Sequence, residues 1–381
     1  MMKIPSPSRG GTGWGLGYFR VKGKKVVVGM SGGVDSSVAA MLLVEQGYDV
    51  IGATLKIWGE GEYLDGEWHE RSCCKIGLAR YAAERLNIPY YIWDAHQEFQ
   101  QWVVDEFCRE YVSGRTPNPC IRCNERVKFS LLLEKAMNLG ADYIATGHYA
   151  RISYDPVSHR YSLRKGLDPD KDQSYFLYRL SQDQLSGIIL PIGGYTKAEV
   201  SLMAESLDLP MEEMRESQEV CFVTQEGYQE FIASHIPSSI SSGKFVSSSG
   251  KVLGEHKGVA FYTIGQRRGL NIAAGERRYV VNINAGRNEI VLGRNEDLYA
   301  RGLVATDIHI ISGEPFKDTR TLHARIRYRS EASKAAAVPA GEGRLRIIFE
   351  EPQWAITPGQ SVVFYEDDLV VGGGIIERGI G

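Results

Sequence analysis

The chain lacks the marks of a membrane protein, a secreted disulfide scaffold or an overtly basic nucleic-acid binder. No apolar stretch approaches the about 20 residues of a membrane span. Six cysteines, unevenly spread over 381 residues, do not make a secreted disulfide framework, and a cytoplasmic setting is expected. Residues Met1 to Gly23 are rich in Gly, Ser and Pro and have no apolar h-region. They read as a disordered leader, or a start codon placed too early, and not as a signal peptide or anchor. Positive charge is not in excess: 44 Lys and Arg stand against 47 Asp and Glu, for a net charge of −3, so any basic surface must be local. No GxxxxGK[ST] string occurs, which excludes the Walker loop, and no repeat of fixed period is present. What remains is 43% hydrophobic and 24% charged, ordinary for a globular protein and long enough for two or three domains.

The most informative residues are Gly29-Met30-Ser31-Gly32-Gly33-Val34-Asp35-Ser36. They follow the apolar run Lys25 to Val28 and open a helix with apolar period through Val38, Met41, Leu42 and Val44. Strand, glycine–hydroxyl turn and helix in that order make an anion cradle. Glycines let successive N–H groups converge, serine hydroxyls add donors, and the helix N-terminus adds partial positive charge. The pattern resembles the PP-loop of ATP pyrophosphatases, which split ATP between the α- and β-phosphates and pass AMP to an acceptor.

From Lys25 to about Ala150 strands and helices alternate. Strands are expected at Val26–Gly29, Asp49–Leu55, Tyr90–Trp93 and Asp142–Thr146, and helices at Val34–Gln46, Ile76–Leu86, Gln97–Ser113 and Arg126–Leu139. This predicts an α/β fold with a buried parallel sheet, its ligands at the carboxyl ends of the strands, where Leu55 and Gly147 project toward one crevice. Ser238–Gly250 reads as a loop or hairpin edge. Beyond Gly258, short alternating runs separated by turns predict a small all-β region, a barrel. The expected division is 1–23 leader, 24–224 PP-loop domain, 225–297 small central domain and 298–381 C-terminal β-barrel.

Thr116-Pro117-Asn118-Pro119-Cys120-Ile121-Arg122-Cys123-Asn124 is the second informative segment. Its prolines argue for a rigid loop carrying the cysteines, followed by a helix from about Arg126. That helix end, with Arg122 and Arg126, is expected to favour the Cys123 thiolate. A reactive thiol beside an ATP-splitting loop suggests sulfur transfer. In His323 to Arg329, strand alternation predicts His323, Arg325, Arg327 and Arg329 on one face, suited to phosphates, with Tyr328 available for stacking. Arg267-Arg268 and Arg277-Arg278 are further phosphate candidates. Lys171-Asp172-Gln173 reads by composition as a solvated charge run, and His148 by position as a core histidine that its strand-end setting promotes to a site residue. Cys108 is expected in the core, and Cys73-Cys74 as buried residues at a helix start.

SGGVDSS, TPNPCIRCN, ATGHYARI, KDQSYFL, Cys221-Phe222, YTIGQRRGL and PGQSVVFY together resemble the tRNA-specific 2-thiouridylase family, from about Lys25 to Arg378. The resemblance implies thiolation of uridine 34 in the tRNAs for Lys, Glu and Gln, with ATP, accompanied by Mg2+, adenylating the C2 oxygen. It implies ATP contacts at Gly29, Met30, Ser31, Gly32, Gly33, Val34, Asp35, Ser36, Leu55 and Gly147. It makes Cys123 the nucleophile and Cys221 the carrier of a persulfide supplied by a sulfur-donor protein, ending in a Cys123–Cys221 disulfide. It gives tRNA contacts to Asn118, Pro119, Cys120, His148, Lys171, Asp172, Gln173, Arg327, Tyr328 and Gln360. Neither DNA nor a membrane enters this reading. Many members carry Asp where this chain has Cys120. Cys120, Cys123 and Cys221 could therefore hold a [4Fe–4S] cluster with one open iron. The alternatives are a metal-free relay with Cys120 as acid or base, and a structural zinc helped by Cys73, Cys74 or His148. Another PP-loop ligase or amidotransferase, or a non-catalytic RNA- or metal-binding protein, are the rival functions.

Overall fold

A computed structural model of the chain describes residues 23–58, 75–210, 214, 220–223, 227–272 and 277–381. Most of the leader, Cys73-Cys74 and Ser217-Gln218-Glu219 lie outside the described residues. The first layer is a five-stranded parallel sheet built from β1 (Lys25–Gly29), β2 (Asp49–Lys56), β3 (Tyr90–Asp94), β4 (Tyr143–Thr146) and a short β7 (Ile188–Ile189), in the order β3-β2-β1-β4-β7. Val26 and Val28 of β1 pack on one face with α1 (Val34–Glu45), α2 (Ile76–Arg85) and α6 (Lys197–Glu205). Val27 packs on the other face with Phe129 and Leu132. All three valines are fully buried, each stabilising the fold by about 1.5–3 kcal/mol, which is why β1 is an unbroken apolar run. The edge strand β3 is less buried than its apolar sequence suggests: Tyr91 and Ile92 are exposed.

Two helices on the sheet's second side carry π-helical stretches. α3 spans 96–112 as His96–Phe99, the π stretch Gln100–Val104 and Asp105–Val112. α4 spans 119–138 as Pro119–Arg122, the π stretch Cys123–Leu131 and Leu132–Asn138. Cys108 on α3 is in the core, its pKa pushed up to about 11 by burial.

The middle region adds α7 (Tyr228–His235) and a four-stranded sheet of β8 (Gly243–Ser247), β9 (Val252–His256), β10 (Tyr279–Asn284) and β11 (Glu289–Gly293), in the order β10-β11-β8-β9. Ser238–Gly250 is therefore not mere loop: β8 inside it is an internal strand, with Phe245 fully buried.

The last region is a closed six-stranded antiparallel barrel of β12 (Tyr299–Ile310), β15 (Leu345–Trp354), β14 (Ser333–Pro339), β13 (Arg320–Arg325), β16 (Ser361–Glu366) and β17 (Leu369–Ile380), sealed by β12 on β17. In β15, Leu345, Ile347 and Phe349 are buried while Arg346, Ile348 and Glu350 are exposed, the period of two that a one-sided strand requires. The hairpin β5 (Ala150–Asp155) and β6 (Arg160–Lys165), absent from the sequence reading, leaves the first sheet and joins the barrel through the Leu369–Arg164 pair. No helix among the described residues is long and apolar enough to cross a membrane.

Candidate active site

The loop between β1 and α1 is closed by its own hydroxyls. Ser36 accepts from the Ser31 N–H at 3.2 Å and donates to Gly33 O at 3.0 Å, while Ser31 Oγ accepts from the Gly33 N–H at 3.3 Å. Gly32 has φ +78°, and a Cβ there would lie 2.2 Å from Lys75 O, so the turn needs glycine twice over. Met30 is buried and its carbonyl accepts the Thr54 hydroxyl at 2.5 Å. Asp35, in the first turn of α1, is held by the Tyr149 hydroxyl and by Lys197 Nζ, each at 2.8 Å. Gly147, just past β4, lies against the same turn: a Cβ on it would meet the carbonyl carbon of Asp35 and the nitrogen of Ser36 at 2.6 Å. Leu55, at the end of β2, packs into both neighbouring apolar clusters. These residues rim the carboxyl ends of β2, β1 and β4, where an open α/β sheet takes its ligand.

His148 follows Gly147 and faces the helix that carries the thiols. His148 Nδ1 is 2.8 Å from the Thr146 hydroxyl, and its ring lies 5.4 Å from that of Phe129 in the π stretch of α4. Burial, with Lys128 nearby, pushes His148 down to about 3, so it is a neutral imidazole at ordinary pH. Cys123 is buried and Cys120 part-buried; both are free thiols, as is Cys221. Burial pushes Cys120 up to about 11 and Cys123 to about 12. Cys221 adds to both shifts, which places the three sulfurs in one neighbourhood although Cys221 is remote in sequence. Lys128 opposes the shift at both Cys120 and Cys123.

This corrects the expectation for the cysteine segment in two respects. The thiols are not on a loop: Pro119 is the first residue of α4, a position where a missing N–H and a φ near −65° suit a helix, and Asn118 before it is extended. The thiolate is not favoured by Arg122. That guanidinium is engaged by Glu106 at 2.7 Å, Glu125 at 2.9 Å and Asp307 at 3.2 Å, and burial of the sulfurs outweighs the helix dipole. Lys128, missed in the sequence, is the cation that bears on the thiols. In a plain α-helix, residue i+5 lies about 140° round from residue i. A π-helix bonds i to i+5, and its wider turn brings residue 128 closer to the side of the helix that carries Cys123.

The donor set does not suit a metal. No group of three His, Cys, Asp or Glu side chains among the described residues is gathered to hold an ion, and the positive charge that bears on two of the thiols is a lysine. As placed, Cys120, Cys123 and Cys221 do not by themselves form such a group, and Cys73 and Cys74, the further ligands weighed for a zinc, lie outside the described residues.

The residues expected at the tRNA bring three surprises. Asp172 is 5% exposed and accepts from Gly166 N at 3.0 Å, Ser174 N at 3.1 Å and Ser174 Oγ at 3.0 Å, so Lys171-Asp172-Gln173 is no solvated run. Gln173 Oε1 accepts the Tyr149 N–H at 3.0 Å. The strand in His323–Arg329 ends at Arg325, so the expected alternation stops there. Arg327 turns inward to the carbonyls of Trp354 and Ala355. Tyr328 packs on Phe176 at 4.4 Å, with the Arg325 guanidinium 5.4 Å from its ring. His323, Arg325 and Arg329 nonetheless share a cavity of about 460 Å³ with Lys165 from the hairpin, lined also by Glu331 and Asp367. Gln360 donates to the carbonyls of Thr116 at 2.9 Å and Pro117 at 3.2 Å.

A parallel α/β sheet with a serine–glycine cradle at its carboxyl edge, joined to a closed β-barrel, defines a PP-loop nucleotide-binding protein with an appended β-domain. The family models agree: the tRNA methyl transferase HUP domain matches residues 24–225, the tRNA methyl transferase PRC-barrel domain 229–294, and the aminomethyltransferase β-barrel domain 300–376. The chain is 47% identical over 93% of its length to tRNA-specific 2-thiouridylase MnmA of Acetivibrio thermocellus, covering 99% of that protein. It is 48% identical over 93% of its length to tRNA-specific 2-thiouridylase MnmA 1 of Clostridium botulinum, again covering 99%. Among solved structures, NMN synthetase from Francisella tularensis aligns with 56% of this chain and 76% of its own at 18% identity, with a TM-score of 0.30, too weak a likeness to bear on function. The chain belongs to the tRNA-specific 2-thiouridylase family.

Proposed function

We propose that this protein is an ATP-dependent tRNA-uridine 2-sulfurtransferase acting on uridine 34 of the tRNAs for Lys, Glu and Gln, in the cytoplasm. The observation that carries the reading is a chain of near neighbours from the cradle to the thiols. The anion cradle meets Gly147, His148 leads on to Phe129, and Lys128 bears on His148, Cys120 and Cys123 alike. A nucleotide phosphate and a thiol are thus offered to one substrate atom. ATP, with Mg2+, is taken at 29–36, Leu55 and Gly147, and pyrophosphate leaves as the uridine O2 bonds to the α-phosphorus. The terminal sulfur of a Cys221 persulfide, loaded by a sulfur-donor protein, then attacks C2, and AMP departs with the oxygen. Cys123 attacks the Cys221 sulfur, the S–S bond breaks, sulfur stays on the base, and a Cys123–Cys221 disulfide remains for a reductant to reopen. Cys120 serves as the acid or base, and the relay needs no metal.

On this reading the base is turned out of the anticodon loop, at a cost of a few kcal/mol, and gripped by Asn118, Pro119 and neutral His148. Lys171 to Gln173, Tyr328 and the cavity of Lys165, His323, Arg325 and Arg329 dock the RNA backbone, with Asp172 and Arg327 holding that surface in shape from within. The domains that divide this work are 24–224, 225–297 and 298–381. The test is full-length protein with tRNA, ATP and a persulfide donor. Pyrophosphate release that depends on tRNA, with 2-thiouridine in the digested product, is expected. Cys123→Ser should abolish the thiolated base yet retain pyrophosphate release. Release without tRNA, or full thiolation by that variant, would sink the reading.

A further inference from the structure

Residues 115–118 belong to no helix or strand, and the Asn118 side chain makes no cap for α4. The path of this segment into the cysteine helix is set from outside. The Thr116 N–H donates to Pro358 O at 2.8 Å, and Gln360 Nε2 donates back to the carbonyls of Thr116 and Pro117. The Thr116 hydroxyl is 3.2 Å from that of Thr263, before β10. The barrel turn that makes the first three bonds is itself locked to β17, with Gly359 N on Ile376 O at 2.9 Å and Ile376 N on Gln360 O at 2.8 Å. Gly359 has φ +92°, and a Cβ there would stand 2.9 Å from Thr116 N, so turn and loop meet backbone to backbone. Cys120 and Cys123 follow within the first turns of the helix that this segment feeds.

We propose that Gln360 is a positioning residue for sulfur transfer: the barrel, through its carboxamide, sets the cysteine helix against the substrate carbon. The inference rests on the thiolation reading and adds to it. The barrel is then part of the sulfur-transfer site and not only a handle for RNA. A carboxamide that only touched RNA would not need both backbone carbonyls of the loop ahead of the thiols. A misplacement of about 1 Å can cost on the order of a hundredfold in rate, whereas the PP-loop hydroxyls are bonded within their own loop.

The test measures single-turnover thiolation at saturating tRNA and ATP, tRNA affinity by filter binding, and tRNA-dependent pyrophosphate release, in full-length wild type, Gln360→Ala and Gln360→Glu. Gln360→Ala is expected to slow sulfur transfer about tenfold or more, with tRNA affinity and pyrophosphate release within about twofold of wild type. Gln360→Glu keeps the length but turns an oxygen toward two carbonyls, and should be at least as slow. Wild-type rate at saturation with weakened tRNA binding would make Gln360 an RNA contact and overturn the inference, as would no change in either quantity. Wild type that releases pyrophosphate but never thiolates would overturn the thiolation reading instead.

Discussion

At the scale of single residues, the site is governed by burial more than by neighbouring charge. Cys123 and Cys120 hold their protons to about 12 and about 11, against 9.0 for an ordinary thiol. Thiolation limited by the Cys123 thiolate should rise nearly tenfold per pH unit between about pH 7 and 9, and iodoacetamide labelling of Cys123 should follow the same slope. The same shifts set a stability window. The unfolded thiols lose protons above 9 while the folded ones keep them, so stability is full below about pH 9 and falls between about 9 and 12, which thermal melts across that range will register. Lys128→Met removes the charge that opposes these shifts and should slow labelling of Cys123 severalfold at pH 8; an unchanged labelling rate would contradict the part given to Lys128. Cys123 and Cys221 could be singled out from the sequence. Their protonation could not be read there, because it depends on how much protein covers the sulfur, and a string of letters carries no burial.

At the scale of elements, the helices and strands of the first sheet were legible to within a residue or two wherever the apolar period was strong. β1 and α1 are the clearest cases. The start of α4 was misplaced by seven residues because two prolines read as helix breakers, although a proline at the first helical position is tolerated. The π stretch was invisible for a different reason: it packs against the Phe176 turn and the π stretch of α3, and local sequence does not name those partners. The loop makes the firmest prediction at this scale. Gly147→Ala would drive a methyl into the backbone between Asp35 and Ser36, where the clearance is 2.6 Å. It should raise the KM for ATP by about tenfold or more, measured by pyrophosphate release, while tRNA binding is kept; unaltered ATP use would show that the Gly147 contact does not shape the cradle.

At the scale of the whole molecule, charge that cancels in composition is sorted in space. Lys165, His323, Arg325 and Arg329 outnumber Glu331 and Asp367 around the barrel cavity, while the neighbouring carboxylates of Asp368 and Glu366 are paired by Arg151, Arg164 and Arg320. Binding of tRNA should therefore fall steeply with salt, and Arg329→Ala should lower the slope of log affinity against log salt by about 1 without touching pyrophosphate release at saturating tRNA. A slope equal to that of wild type would take Arg329 out of the interface. By itself the sequence determined the strand–turn–helix of the cradle and the order of sheet then barrel, because each is written in neighbouring residues whose spacing a strand, turn or helix imposes. Only the tertiary structure decided which thiols share a neighbourhood, that Lys128 and not Arg122 bears on them, and that the barrel grips the cysteine loop. The first and last of these join segments far apart in the chain, and the second hangs on the π register of α4, so packing chooses partners that sequence order does not name.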